Sequence, residues 1–232
     1  MHDHISLEVL DQDGALRETA EAAGVSRGDF LKRSGMAGAG FVAGGVLFNG
    51  LVSPASAQTP KRKKSKKNDI AIGRYALTLE YLEAAFYAAA LQSGALTDAA
   101  VLRFAQVAGA HEAAHVKALR ALLGRRRIAS PTFNFGDTVT NQDKFKATAQ
   151  AVEDVGVSAY AGQGPNILQK ALLVPALGIH SVEARHAAWI RFINSGGQGD
   201  EANLPAPAIV DAPRSANAVL RIVGSLNVIQ DS

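Results

Sequence analysis

Ala110-His111-Glu112-Ala113-Ala114-His115 is the stretch from which the fold can be read. Residues three apart on a helix share a face, so Glu112 and His115 can reach one common point. Many surface helices carry such a pair idly, and the weight comes from its echo at Glu183-Ala184-Arg185-His186. Each pair is preceded by a segment with the same internal spacing: Tyr87 lies seven residues after Glu80, and Tyr160 seven after Glu153. The interval from Glu80 to Glu112 is 32 residues and that from Glu153 to Glu183 is 30. Each half therefore reads Glu-x6-Tyr on one helix and Glu-x-x-His on the next, as expected of a two-helix unit used twice about a pseudo-twofold axis.

The punctuation around these motifs predicts four helices. Residues 69–91 are rich in Ala and Leu, contain no proline and repeat Leu79, Leu82 and Phe86 at helical intervals, with Gly94 as the stop. Thr97-Asp98 opens a second helix that runs to Leu123 and ends at Gly124. A long apolar connection, 125–140, with Pro131, Phe133 and Phe135, is expected to cross the outside of a bundle. Asn141 caps a third helix to Ala161, and Gly162-Gln163-Gly164-Pro165 is read as its breaker. A fourth runs to Asn194, with Pro175 and Gly178 predicting a kink or a split start. After a Gly/Pro-rich loop, Ser215 caps a short last helix whose Val219, Ile222, Val223 and Leu226 form one apolar face, for the bundle or for a second subunit. No strand alternation stands out, and the predicted body is all-α.

Charge and leader features place this body between unlike ends. Residues 1–57 hold four basic and seven acidic side chains; of the remaining 20 basic and 14 acidic, six basic ones sit in 61–67. The rest is balanced at 14 of each sign, which argues against a specific nucleic-acid-binding body. A charged segment, a Gly/Ala-rich apolar run over 35–52 and Ala55-Ser56-Ala57 read together as an export signal cleaved after Ala57. Ser26-Arg27-Gly28-Asp29-Phe30-Leu31-Lys32 resembles a twin-arginine signal, with Gly28 where the second arginine belongs. The expected destination is the periplasm or cell envelope, and Gly28 leaves cytoplasmic retention open. Residues 58–68 read as a basic, disordered linker that could touch an anionic surface. The chain has no cysteine, which excludes disulfides, thiolate metal sites and iron–sulfur clusters.

One Glu from each of two helices and a Glu-x-x-His from each of the other two is the residue set of a dinuclear carboxylate bundle. At this point the sequence resembles the ferritin-like superfamily. More narrowly, Tyr75 through Tyr87, Val152 through Tyr160 and Val182 through His186 look like the bacterial exported ferritin-like proteins often termed desiccation-related. The resemblance covers 69–194 and implies a ferritin-like four-helix bundle with a long crossover between helices 2 and 3. Carried over residue by residue, it makes Glu80, Glu112, His115, Glu153, Glu183 and His186 the ligands of two ions, and it favours iron or manganese. Charge supports the assignment independently: four carboxylates in one bundle repel, and two divalent ions balance them.

Several positions have rivals. Glu83, one turn after Glu80, competes with it as a ligand, pairs with solvent or bridges. His111 is about 100° round the helix from Glu112 and reads as a surface or interface residue. Asp154 reads as a solvated neighbour of Glu153. His180 is an extra ligand, a proton carrier or a packed core histidine. Tyr87 and Tyr160 are either core aromatics or hydrogen-bond partners of the carboxylates.

The expected function is an exported di-metal redox protein acting on oxygen or peroxide, as a ferroxidase, a peroxidase or a catalase-like enzyme. The alternative is a non-enzymatic stress-protective or envelope-interacting bundle that uses the basic tail and the C-terminal helix. A homodimer is compatible with either.

Overall fold

Nearly every long helix begins where a short polar side chain can take the free N–H groups of its first turn. In the computed structural model, which describes residues 63–200, 203–226 and 229–230, the first helix, α1 (Lys66–Ser93), starts behind Ser65, whose hydroxyl accepts from Asn68 N at 3.1 Å. Three residues assigned to the linker thus form its first turn. Asp98 caps α2 (Ala99–Leu123) through Ala100 N and Val101 N, and Asn141 caps α3 (Gln142–Gln163) through Lys144 N. Gly94 and Gly124 close α1 and α2 with positive φ, where a side chain would be strained. The expected export leader, 1–57, and the linker up to residue 62 lie outside the described residues.

The fourth helix, α4 (Lys170–Asn194), has no cap of its own. Asp69, in the first turn of α1, supplies one from about 100 residues away: its carboxylate accepts from Leu168 N, Gln169 N and Gln169 Nε2 at 2.9–3.0 Å. Burial alone would raise its pKa, yet these hydrogen bonds outweigh burial and hold it below the usual value. The helix runs unbroken through Pro175, so the expected split start is absent. As the sixth residue of the helix, the proline forgoes the bond an N–H would make to Ala171 O, without ending the helix.

α1 and α2 pack as one antiparallel hairpin, α3 and α4 as a second. The connection between them retraces the length of the bundle along α1. It leaves α2 where Arg74 Nε donates to Arg126 O, passes Tyr81, whose hydroxyl donates to Ile128 O, and lays Phe135 against Phe86. It arrives at the far end, where Ser93 Oγ donates to Val139 O and Gln142 Oε1 accepts from Thr97 N and Asp98 N. α3 consequently runs parallel to α2. Within the connection, Thr132–Phe133 (β1) pairs antiparallel with Ile229–Gln230 (β2), a contact too short to leave any alternation in the sequence.

The last helix, α5 (Ala216–Ser225), buries Ala218, Val219, Ile222 and Val223 and packs on α3. Gly162, read from sequence as part of a helix breaker, lies inside α3 and admits this segment. A Cβ there would sit 1.9 Å from Arg214 O, and Arg214 N donates to Ser158 O at 3.0 Å. Two apolar clusters result, one around Phe86, Phe104 and Phe145, the other around Leu77, Leu119 and Ile179. Along α2 and α4 the buried glutamates, Glu112 and Glu183, fall between residues of the two clusters. None of the described helices is long and apolar enough to cross a membrane.

Asp69→Ala leaves the partly buried donors of Leu168 and Gln169 without this acceptor and is expected to cost about 1 kcal/mol in urea unfolding. Asp69→Asn, which keeps one oxygen, is expected to lose less.

Candidate metal centre

Four glutamates that a soluble bundle would ordinarily expose are completely buried: Glu80, Glu112, Glu153 and Glu183 each show 0 % exposure, one per helix. Helical spacing places them. Glu112 and His115 occupy one face of α2, Glu183 and His186 the matching face of α4, while Glu80 and Glu153 come from α1 and α3. All six predicted residues converge in two overlapping sets of donor atoms. One comprises Glu80, Glu112, His115 and Glu183, the other Glu112, Glu153, Glu183 and His186, with donors in each set within 4.8 Å of one another. Glu112 and Glu183 belong to both.

His115 Nδ1 lies 3.1 Å from Glu80 Oε2, 3.0 Å from Glu112 Oε2 and 3.3 Å from Glu183 Oε1. Across the pseudo-axis, His186 Nδ1 lies 3.0 Å from Glu112 Oε1 and 3.3 Å from Glu153 Oε2. The two oxygens of Glu112 thus serve opposite imidazoles. Neighbouring ligands of a small octahedral ion with bonds of about 2.1 Å lie about 3 Å apart, so these spacings are those of two adjoining coordination shells. Hydrogen bonding does not account for them fully. Glu112 Oε1, Glu153 Oε2, both oxygens of Glu183 and His186 Nδ1 are buried and close to one another without an aligned hydrogen bond among the described residues. Buried polar atoms are rarely left so, and five facing one another fit a cation better than a set of hydrogen bonds.

The surrounding residues hold this arrangement. Tyr87 on α1 donates to Glu153 Oε1 on α3, and Tyr160 on α3 donates to Glu80 Oε1 on α1. Each tyrosine holds a glutamate of the other half while its ring packs in an apolar cluster, so both roles the sequence offered are filled. Gly156 makes room for the acids: a Cβ on it would meet Glu183 Oε2 at 2.7 Å and Glu83 Oε1 at 3.2 Å.

The rivals separate. Glu83 is 2 % exposed, so the solvent-paired reading fails; its carboxyl is a fifth buried acid beside Glu183, with Oε2 unpartnered, yet it belongs to neither donor set. His111 is exposed, as expected, but its Nδ1 lies 2.9 Å from His186 Nε2 and the two rings stack. The angular offset from Glu112 concealed this, because it points His111 away from the core but toward α4. Asp154 is not simply solvated, since it pairs with Arg191 through two hydrogen bonds. His180 is half-buried, outside both sets, with Nδ1 unpartnered among the described residues.

A four-helix bundle with a Glu-x-x-His pair on two helices and a single Glu on each of the others defines a carboxylate–histidine helical protein. The sequence pattern of the ferritin-like domain matches residues 68–195, more than half of the chain, and the protein belongs to that family. No curated protein matches the chain at a significant level.

Without metal the cluster is a proton store. Burial lifts Glu80 to about 8, raises Glu153 and pushes Glu83 and Glu183 well above the ordinary carboxylate range. Burial also works against the charged imidazoles, but contact with the glutamates wins, taking His115 to about 12 and His186 to about 9. Glu112 is the exception: the two histidines overcome its burial and hold it at about 2.

These shifts dictate a pH dependence. Groups with raised values bind more protons folded than unfolded, so their contribution to stability declines as pH rises from the ordinary 4.5 of a glutamate through the 8 of Glu80. Glu112 and Asp69, held low, lose theirs as pH falls below their ordinary 4.5 and 3.8. The metal-stripped protein is therefore expected to be most stable at mildly acidic pH and to lose thermal midpoint toward pH 8. Saturating Mn(II) is expected to abolish that decline, since bound cations replace the protons. Thermal scans across pH with and without the ion test this.

Proposed function

We propose that this cluster binds two iron or manganese ions and that the protein is an exported, stress-protective oxidoreductase acting on oxygen or peroxide. The observation that carries the reading is the sharing of Glu112 and Glu183 between the two donor sets. The five clustered glutamates are tolerable only if protonated or neutralised, and two divalent cations would balance four of them, with Glu83 protonated. An oxygen- and imidazole-rich set with no sulfur donor suits iron or manganese. Export rests on the leader-like 1–57, and the desiccation-related subtype on the resemblance of the helix motifs.

In this reading Glu80 and His115 would hold one ion and Glu153 and His186 the other, with Glu112 and Glu183 available to both. Two ions that each change oxidation state by one supply two electrons, enough to take one dioxygen and two protons to hydrogen peroxide, or one peroxide and two protons to two waters. The chain's own part is positional. Tyr87 and Tyr160 fix the orientation of the terminal carboxylates. His111 fixes the ring of His186 and presents an exposed nitrogen base against it. The apolar clusters on both sides keep bulk water from the carboxylates, and Glu83 supplies a further buried carboxyl able to hold a proton beside Glu183. The non-enzymatic alternative is weakened at one point, since α5 already spends its apolar face on α3.

Anaerobic titration with Fe(II) or Mn(II), followed by metal analysis, is expected to give two ions per chain, and Glu112→Ala fewer than one. Two ions retained by Glu112→Ala would sink the assignment. Tyr87→Phe is expected to keep the fold and weaken metal affinity about 10–100-fold, the usual effect of removing a partner that orients a ligand.

A further inference from the structure

Charge is segregated along the bundle, and at one end it meets exposed apolar side chains. We propose that this end, where α1 and α4 begin and α2 stops, docks on an anionic lipid bilayer. The inference holds whether or not the glutamate cluster binds metal.

Hydrogen bonds bring the three helix ends together. Arg74 Nε donates to Arg126 O at 2.6 Å, tying the start of α1 to the turn after α2. Asn68 Nδ2 donates to Asn166 O at 3.2 Å, and Asp69 accepts from Leu168 N, tying it to the start of α4. The segments that meet there, 63–74, 117–127 and 164–182, carry five, five and one Lys or Arg, every one of them exposed. Their one acid is Asp69, which is buried and committed to the start of α4. None of these basic side chains forms an ion pair among the described residues. The opposite end is the reverse: Asp98, Asp137, Asp143 and Asp200 are exposed there, and the nearby Lys144 and Lys146 pair with two of them. A body whose charges balance in number is therefore polarised in space.

Beside these bases the outer face of α4 is apolar. Leu168, Val174 and Leu177 are 50, 66 and 53 % exposed, and α4 carries no Asp, Glu, Lys or Arg between Lys170 and Glu183. Val174 and Leu177, three apart, share a face. The combination selects the partner. Lipid phosphates attract the bases, Val174 and Leu177 gain by entering the boundary between headgroups and acyl chains, and the long stems of Lys and Arg keep their charges at headgroup level. A nucleic acid would answer the charge alone, since the three segments contain no Phe, Tyr or Trp to stack on a base. A second copy of the same face would set like charges against one another. None of the described helices is long and apolar enough to cross the bilayer, so the contact is peripheral.

Co-sedimentation of the full chain with lipid vesicles tests this. Vesicles of equal parts phosphatidylglycerol and phosphatidylcholine are expected to bind it at least about tenfold more tightly than phosphatidylcholine alone, and that preference to fade between about 0.05 and about 0.5 M salt. Arg125→Ala with Arg126→Ala is expected to weaken binding to the anionic vesicles at least about tenfold, and Val174→Ser with Leu177→Ser to do the same. All four side chains are exposed, so the helical circular dichroism should be unchanged. Phe192→Ser, at a residue 46 % exposed near the opposite end of α4, is the control and should alter binding less than about twofold. Should a double variant misfold, Lys170→Glu, a change that the first turn of a helix favours, must weaken binding at least about fivefold. Equal binding to both vesicle types overturns the proposal. So does full binding by either folded double variant, the outcome expected if residues 35–52 carried the contact instead. Duplex DNA bound more tightly than the anionic vesicles, and unaffected by the Val174 and Leu177 changes, would make this end a nucleic-acid surface and overturn it. Loss of self-association in that variant with vesicle binding intact would assign the face to a second copy and overturn it too.

Discussion

Burying like charges together is the constraint on which this structure depends. Glu80, Glu83, Glu112, Glu153 and Glu183 have almost no exposure, and their mutual repulsion in a low-dielectric interior opposes the packing around them. The fold answers in two ways. Imidazoles of His115 and His186 stand between the carboxylates, and tyrosine hydroxyls take the outer oxygens of Glu80 and Glu153. That still leaves several oxygens without partners, so the bundle is organised around a deficit of positive charge at its centre. The apolar clusters on either side give the helices reason to assemble at all, and the connection running back along α1 lets two hairpins face each other with these five glutamates inward.

The doubled sequence pattern was legible because every part of it is local. Helical periodicity puts Glu112 with His115 and Glu183 with His186, and a seven-residue step puts each tyrosine two turns from its glutamate. Asp98, Asn141, Ser215, Gly94 and Gly124 likewise act within their own helix ends, which is why the boundaries they mark could be read. The crossed hydrogen bonds of the tyrosines could be suspected from the mirrored spacing, but only the structure shows that role beside plain packing.

What escaped depends on distant approach. Nothing near Asp69 shows that it caps a helix beginning about 100 residues later. Gly162 looks like a breaker until the backbone of Arg214 is seen lying across it, and Gly156 looks ordinary until two carboxylates occupy the place of its missing Cβ. His111 was set aside by an argument about its own helix alone, whereas its neighbour belongs to α4. Glu83 shares a helix face with Glu80, and room for its carboxyl comes from a distant residue, Gly156 of α3, which lacks a Cβ there.

The sharing of Glu112 and Glu183 has a mechanical consequence. Each hairpin carries three of the four donors of one set and borrows the fourth from the other hairpin. Contacts within each hairpin are close in sequence, but each set is complete only where the two hairpins meet. A cation seated there would tie 66–123 to 142–194 as a staple ties two sheets. In a chain with no cysteine, the two shared glutamates stand where a crosslink would otherwise be sought, and a crosslink made through a cation would come undone with a chelator rather than a reductant.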